Sequence, residues 1–196
     1  DLMSNDELEY CLVVGAEEAD WLLCDAYHKW RLLRAAPPIE PFAQPPRGTI
    51  LSEGAGAILL SSEGRASARP ILIERISGGT NFSHQRDAAK AVNEVFAELC
   101  QEAPDLIIPS ANGTFVDDAE RAAIAARCKE TPLYAAKAAL GESVGASSPW
   151  QTICAAEALL TNRIPGGSDH RPYQSAVVST CGLNQQVAGL RLARSE

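Results

Sequence analysis

The residues Ser52-Glu53-Gly54-Ala55-Gly56 run straight into the apolar stretch Ala57-Ile58-Leu59-Leu60. Glycines spaced this way at the mouth of a strand mark backbone that passes close to another element, because a side chain there would fill the gap. Upstream, residues 9–15 hold a short apolar run ended by Gly15, the pattern of a strand buried on both faces of a layered α/β fold. Between the two, residues 17–34 carry helical periodicity, with Trp21, Leu22, Cys24, Ala26, Tyr27, Trp30 and Leu33 available for a buried face. Residues 35–46 contain five prolines and predict an irregular excursion.

Alternation of strands and helices continues to the end of the chain. Residues 48–61 and 68–76 predict two long strands joined as a hairpin by the turn Ser62-Glu63-Gly64-Arg65. A loop over residues 77–81 leads into a helix over 86–101, apolar at Ala89, Val92, Val95, Phe96 and Leu99. Residues 106–109 predict a buried strand, and residues 117–128 a helix whose first turn carries Asp117 and Asp118, where acids complement the helix dipole. A short strand near 132–135, a helix over 149–162 opened by Pro149, and two final strands over 175–179 and 187–192 complete an α/β sheet fold.

Composition narrows the function classes. At 196 residues, 46% hydrophobic and 21% charged, the chain has the makeup of a globular domain with a core. A net charge of −8 with no Lys/Arg cluster excludes a dedicated nucleic-acid binder. The six cysteines form no Cys-x-x-Cys pair and sit in apolar patterns, which predicts free thiols in a reducing, cytoplasmic compartment. No apolar run reaches the roughly 18 to 20 residues of a membrane span, and the start Asp1-Leu2-Met3-Ser4-Asn5-Asp6 lacks the features of a signal peptide, so a soluble protein without membrane contact is expected. His28, His84 and His170 are scattered without metal-ligand spacing, so neither a metal nor another cofactor is expected.

From Pro41 to Gly56 the spacing resembles, without a gap, the Pro-Phe-Asp…Arg-Asp-Gly…Gly-Glu-Gly-Ala-Gly block of the β-ketoacyl synthases, the thiolase-fold condensing enzymes of fatty-acid and polyketide synthesis. Ala43 stands for the Asp, Pro46-Arg47 for the Arg-Asp, and Ser52 for the first Gly. The resemblance implies a thiolase-like α/β fold made of two similar halves, the first carrying the nucleophilic cysteine and the second two histidines. On that reading residues 1–61 are the end of the N-terminal half and 68–196 the C-terminal half, with the cysteine motif expected upstream of Asp1. The segment Ser179-Thr180-Cys181-Gly182 looks superficially like that motif but follows the last helix.

Three functional positions depart from the family. The His-Gly-Thr turn is matched by Asn112-Gly113-Thr114, followed by Asp117 and Glu120 at the family's Asp-x-x-Glu helix start. The Lys-(three residues)-Gly-His pattern is matched by Lys137 and Gly141 with Glu142 in place of the histidine. The glycine-rich C-terminal loop is replaced by residues 181–186. Asparagine donates hydrogen bonds but takes up no proton near neutrality, and a carboxylate repels the enolate formed in decarboxylative condensation. Plain structural readings stand beside these: Asn112 as a turn residue, Lys137 and Glu142 as an ion pair across a loop.

The resemblance therefore implies a ketosynthase-like subunit of the chain-length-factor type, non-catalytic and paired with an active ketosynthase. Its expected partners are an acyl carrier protein, a ketosynthase or second copy, and a chain or segment completing the N-terminal half. The alternative is an acyltransferase or hydrolase of the same fold that uses an upstream cysteine, with Asn112, Lys137 and Glu142 in new roles.

Overall fold

The computed structural model describes residues 8–62, 71–167, 170–182 and 185–195. The expected turn after Ser62, the first part of the strand predicted over 68–76, and positions 183–184 of the final loop lie outside the described residues.

Two sheets carry the fold. Strand β1 (Tyr10–Glu17) pairs antiparallel with β2 (Gly54–Ser61), and a four-stranded sheet has the order β3-β6-β5-β4, with β3 at Ile71–Asn81, β4 at Leu106–Ile108, β5 at Ser175–Cys181 and β6 at Gln186–Arg194. Within it β4 and β5 run parallel, while β6 is antiparallel to both β5 and β3. The helices are α1 (Trp21–Lys29), α2 (Ala88–Leu99), α3 (Val116–Arg127), the single turn α4 (Lys137–Leu140) and α5 (Ser147–Thr161).

Alternation along the central strands separates two apolar cores. Ile107 and Val177 point to one face, where Val92, Val95, Phe96 and Leu99 of α2 meet Ala119, Ala123 and Ile124 of α3. Leu106, Ile108, Ala176 and Val178 point to the other, against Cys154, Ala155, Ala158 and Leu159 of α5. The period of two in the strands and the 3.6-residue stripe of α2, buried at Ala88, Ala91, Val92, Val95, Phe96 and Leu99, thus fit each other.

The far side of α5 receives the two-stranded sheet, and here the glycines find their use. Gly15 and Gly56 are register partners. A Cβ on Gly15 would lie 2.2 Å from the Gly145 carbonyl oxygen, and one on Gly56 would lie 2.8 Å from Pro149 Cβ. Trp150 of α5 covers Gly54 and donates from its indole N–H to the Ala55 carbonyl at 3.0 Å. Gly15→Ala is expected to lower stability by about 1–3 kcal/mol, because the obstructing atom is backbone and cannot swing aside. Urea unfolding with an unchanged denaturant slope checks it.

Several expectations are corrected. The strands now named β2 and β3 form no hairpin: β2 pairs with β1 and β3 with β6, so the two belong to different sheets. In the observed pairing Gly15 lies opposite Gly56, and both lie where a side chain would collide with Pro149 at the start of α5. Residues 49–51 precede β2 as isolated bridges, Leu33 with Thr49 and Leu51 with Glu142. The loop expected over 77–81 is strand, accommodated by a register irregularity between Ser77 and Thr80. The strand expected near 132–135 reduces to one bridge between Ile107 and Leu133.

Helix α1 ends at Lys29, five residues before the periodicity does, because Arg31 takes a left-handed conformation (φ 56°) and the chain turns to pair with residue 49. Of its apolar residues only Tyr27 is buried, while Trp21 and Leu22 are 78% and 61% exposed. No helix among the described residues is long and apolar enough to cross a membrane.

Candidate functional site

Loops at the ends of the parallel strands bring the three candidate residues together. Asn112 follows β4, Lys137 opens α4, and Glu142 sits just past Gly141, which ends that turn at φ 82°. The segment before β2 clamps Glu142 from outside: its N–H donates to the Ile50 carbonyl at 2.9 Å, and its carbonyl accepts from Ser52 N–H at 2.9 Å. A side chain on Gly141 would strike Ser52 at 2.6 Å, so the glycine before Glu142 is needed for the approach.

The three side chains form one buried network. Asn112 Nδ2 donates to Glu142 Oε2 at 2.5 Å, and Lys137 Nζ donates to the same oxygen at 2.8 Å. Lys137 and Glu142 side chains are only 3% and 6% exposed. Lys137 also donates to Ser110 Oγ at 3.1 Å, and Ser147 Oγ donates to Glu142 Oε1 at 3.2 Å. Both oxygens of the carboxylate are therefore occupied, as a buried charge requires. The ion-pair reading of Lys137 and Glu142 describes what is present. The left-handed position of the Asn112 turn is Gly113 (φ 86°), and Asn112 uses its side chain instead, accepting from the Thr114 hydroxyl at 2.6 Å on Oδ1.

Two further carboxylates, Asp117 and Glu120, support the loop. Asp117, fully buried in the first turn of α3, accepts from the backbone N–H groups of Phe42 (2.5 Å), Asn112 (2.8 Å) and Gly113 (3.1 Å). This ties the proline-rich excursion to the turn that holds Asn112. Burial still pushes the Asp117 carboxyl upward, against those bonds. Glu120, one turn later, accepts from Ser110 N–H at 2.8 Å and from the Ser179 hydroxyl, while its Oε2 has no partner among the described residues.

Burial pushes Glu120 up to about 7, with the hydrogen bonds from Ser179 and Ser110 and the Lys137 charge opposing it. An acid whose folded value is raised from 4.5 loses stability as pH climbs from about 4.5 to about 7, since only the folded state keeps the proton in that window. The slope reaches at most about 1.4 kcal/mol per pH unit. Urea midpoints from pH 5 to 8 should fall less steeply in Glu120→Gln than in the unsubstituted protein.

Cys181, the last residue of β5, lies beside this network, and its N–H donates to Ser110 Oγ at 2.9 Å. Burial, then the Glu120 charge, pushes its thiol up to about 12, so it stays protonated and is no nucleophile at neutral pH. Sequence reasoning missed Ser110, Ser147 and Tyr27. A serine beside a helix start reads as an ordinary cap, and Tyr27 reads as one apolar residue among several. Among the described residues no group of three or more His, Cys, Asp or Glu side chains could hold a metal ion.

No protein-family model matches the sequence, and no curated protein matches it significantly. Solved structures do. A β-ketoacyl synthase from Burkholderia phymatum aligns with a TM-score of 0.80 at 15% identity over 100% of this chain and 57% of its own. The ketosynthase ApeO in complex with its chain length factor ApeC, from Xenorhabdus doucetiae, aligns at 0.77 and 18% identity over 99% of this chain and 55% of its own. The ishigamide ketosynthase/chain length factor aligns at 0.74 and 19% identity over 98% and 56%. The chain thus spans little more than half the length of these structures. By this likeness the chain has the thiolase-like α/β fold of the β-ketoacyl synthases, in its C-terminal part.

Proposed function

We propose that the protein is a ketosynthase-like subunit of fatty-acid or polyketide (aryl-polyene-like) biosynthesis, of the chain-length-factor type, and does not itself catalyse condensation. The observation that carries this reading is the direct hydrogen bond, at 2.5 Å, between the residues at the two family histidine positions, Asn112 and Glu142. Decarboxylative condensation needs donors free to meet an enolate. Here an Asn112 N–H and the Lys137 ammonium are committed to a carboxylate, and that carboxylate would repel the developing charge.

On the same reading residues 1–61 close the N-terminal half, residues 68–196 form the C-terminal half, and the compartment is cytoplasmic, in keeping with six free cysteines. The partners are an active ketosynthase, or a second copy, together with an acyl carrier protein and a chain or segment that completes the first half. An exposed apolar sheet face supports the last of these. Leu12 and Leu59 are cross-strand neighbours at 63% and 66% exposure, and Val14 beside them is 61% exposed. Patches of this kind mark contact surfaces. Among the solved structures, that from Xenorhabdus is of a ketosynthase with its chain length factor.

Affinity purification of the natural gene product from its own cells tests the pairing. A ketosynthase recovered in equal molar amount is the expected result. A lone polypeptide that condenses acyl groups by itself would overturn it.

A further inference from the structure

An amine, a carboxamide and a carboxylate meet in the buried network. Lys137 Nζ and Asn112 Nδ2 donate to the same oxygen, Glu142 Oε2, at 2.8 and 2.5 Å. The two nitrogens therefore lie no farther apart than those two contacts laid end to end, and the amide carbon Cγ of Asn112 is one covalent bond beyond Nδ2. Across the same amide, Asn112 Oδ1 accepts from the Thr114 hydroxyl at 2.6 Å and from the Thr114 N–H at 3.2 Å. Ser147 donates to the other oxygen of Glu142 at 3.2 Å and fixes the carboxylate. All three reacting side chains are buried, which keeps bulk water from the amide. The Gly113 nitrogen is the competing nucleophile at an Asn-Gly step, and its N–H is tied to both oxygens of Asp117 at 3.1 Å.

These are the parts that acyl transfer to an amine requires: a nucleophile, a group that relays protons, and donors on the oxygen where charge develops. We propose that Lys137 and Asn112 join autocatalytically in an isopeptide cross-link, with Glu142 as the proton relay. Glu142 Oε2 takes a proton from the Lys137 ammonium, and the freed electron pair on Nζ attacks Cγ of Asn112. The carbonyl electrons move onto Oδ1, where the two Thr114 donors meet the negative charge. On collapse the Nζ–Cγ bond remains and the Cγ–Nδ2 bond breaks. Nδ2 leaves as ammonium, carrying two protons that Glu142 has passed on from Nζ one after the other. Nothing is oxidised or reduced, and the product amide ties the turn after β4 to the start of α4. The cross-link draws on the same three side chains as the proposed function but needs no partner, carrier protein or cofactor.

The test is intact-mass measurement and tryptic mapping of the natural gene product, fresh and after days at 37 °C. A chain lighter by one ammonia is expected, together with a branched peptide joining residues 112 and 137 and no cleavage after Lys137. Glu142→Gln, which keeps the shape without the proton acceptor, should slow the linkage by about a hundredfold or more. Thr114→Val, which removes the hydroxyl donor, should slow it by about a hundredfold. Lys137→Arg keeps a positive charge without the nucleophilic amine and should abolish it. Circular dichroism selects the variants that fold, and the unsubstituted chain decides by itself if none does. Full mass retained in the folded unsubstituted chain would overturn the proposal. So would an undiminished rate in folded Glu142→Gln, or an ammonia loss that persists in Lys137→Arg, the mark of a cyclic imide between Asn112 and Gly113. Recovery of a ketosynthase partner is read separately, so the cross-link and the proposed function can fail independently.

Discussion

Lys137→Met is expected to lower the folding free energy by about 3–5 kcal/mol, because it strands a buried carboxylate. In the intact protein Glu142 is 6% exposed in its side chain and sits 2.8 Å from the Lys137 ammonium. Without that ammonium its remaining donors are neutral, Asn112 and Ser147. Glu142→Met should cost a similar amount, since Lys137 would keep only the Ser110 hydroxyl as acceptor. In the double variant neither charge is present, so its loss should fall short of the sum of the single losses by about 2 kcal/mol. Urea unfolding of the four proteins measures this. Strict additivity would mean that the two groups do not act as a pair.

Gly113→Ala should cost about 2–5 kcal/mol, from two separate sources. A non-glycine residue held in the left-handed region loses about 1–2 kcal/mol, and Gly113 is at φ 86°. The new Cβ would also lie 2.4 Å from the Gly48 carbonyl oxygen, in a loop whose Gly48 N–H donates to the Gly113 carbonyl at 2.8 Å. Overpacking of that kind costs about 1–3 kcal/mol more. Gly166→Ala is the control, since Gly166 has φ 74° but nothing within 4 Å of its would-be Cβ. It should lose only the backbone part, about 1–2 kcal/mol. Equal losses at the two sites would show that the contact with Gly48 carries no weight.

The parts of this fold that were legible in the sequence are those governed by local periodicity. Helix α2 shows its buried stripe every three or four residues, and β4 and β5 are short continuous apolar runs because both their faces are covered. The α/β class followed from such patterns, while the resemblance to condensing enzymes rested on motif spacing from Pro41 to Gly56. Pairing was less legible. Nothing in residues 54–61 says that their neighbour is Tyr10–Glu17 rather than the strand that follows, because the contact of the paired glycines with Pro149 and Trp150 joins three distant segments. Nor does α1 reveal that its apolar side stays open, since periodicity states which face could be buried and not what lies against it.

Motif spacing singled out Asn112, Lys137 and Glu142 as candidates, and the fold joins them in one network although thirty positions separate Asn112 from Glu142. Their supporting shell was hidden. Ser110 and Ser147 reach Lys137 and Glu142 across distances of about 3 Å, and no local pattern encodes those distances. Tyr27 was hidden for the same reason, as the wall it shares with Glu142 and Cys181 forms only when those residues arrive from distant parts of the chain.

On the proposed reading the Asn112–Glu142–Lys137 network stands in place of condensing chemistry. Its most direct test is intact-mass measurement of the natural gene product and every protein that co-purifies with it, before and after exposure to an acyl-loaded carrier protein. A co-purifying ketosynthase should gain the acyl mass while the polypeptide containing Asn112 and Glu142 does not. An acyl group carried by that polypeptide, with no separate ketosynthase present, would contradict it.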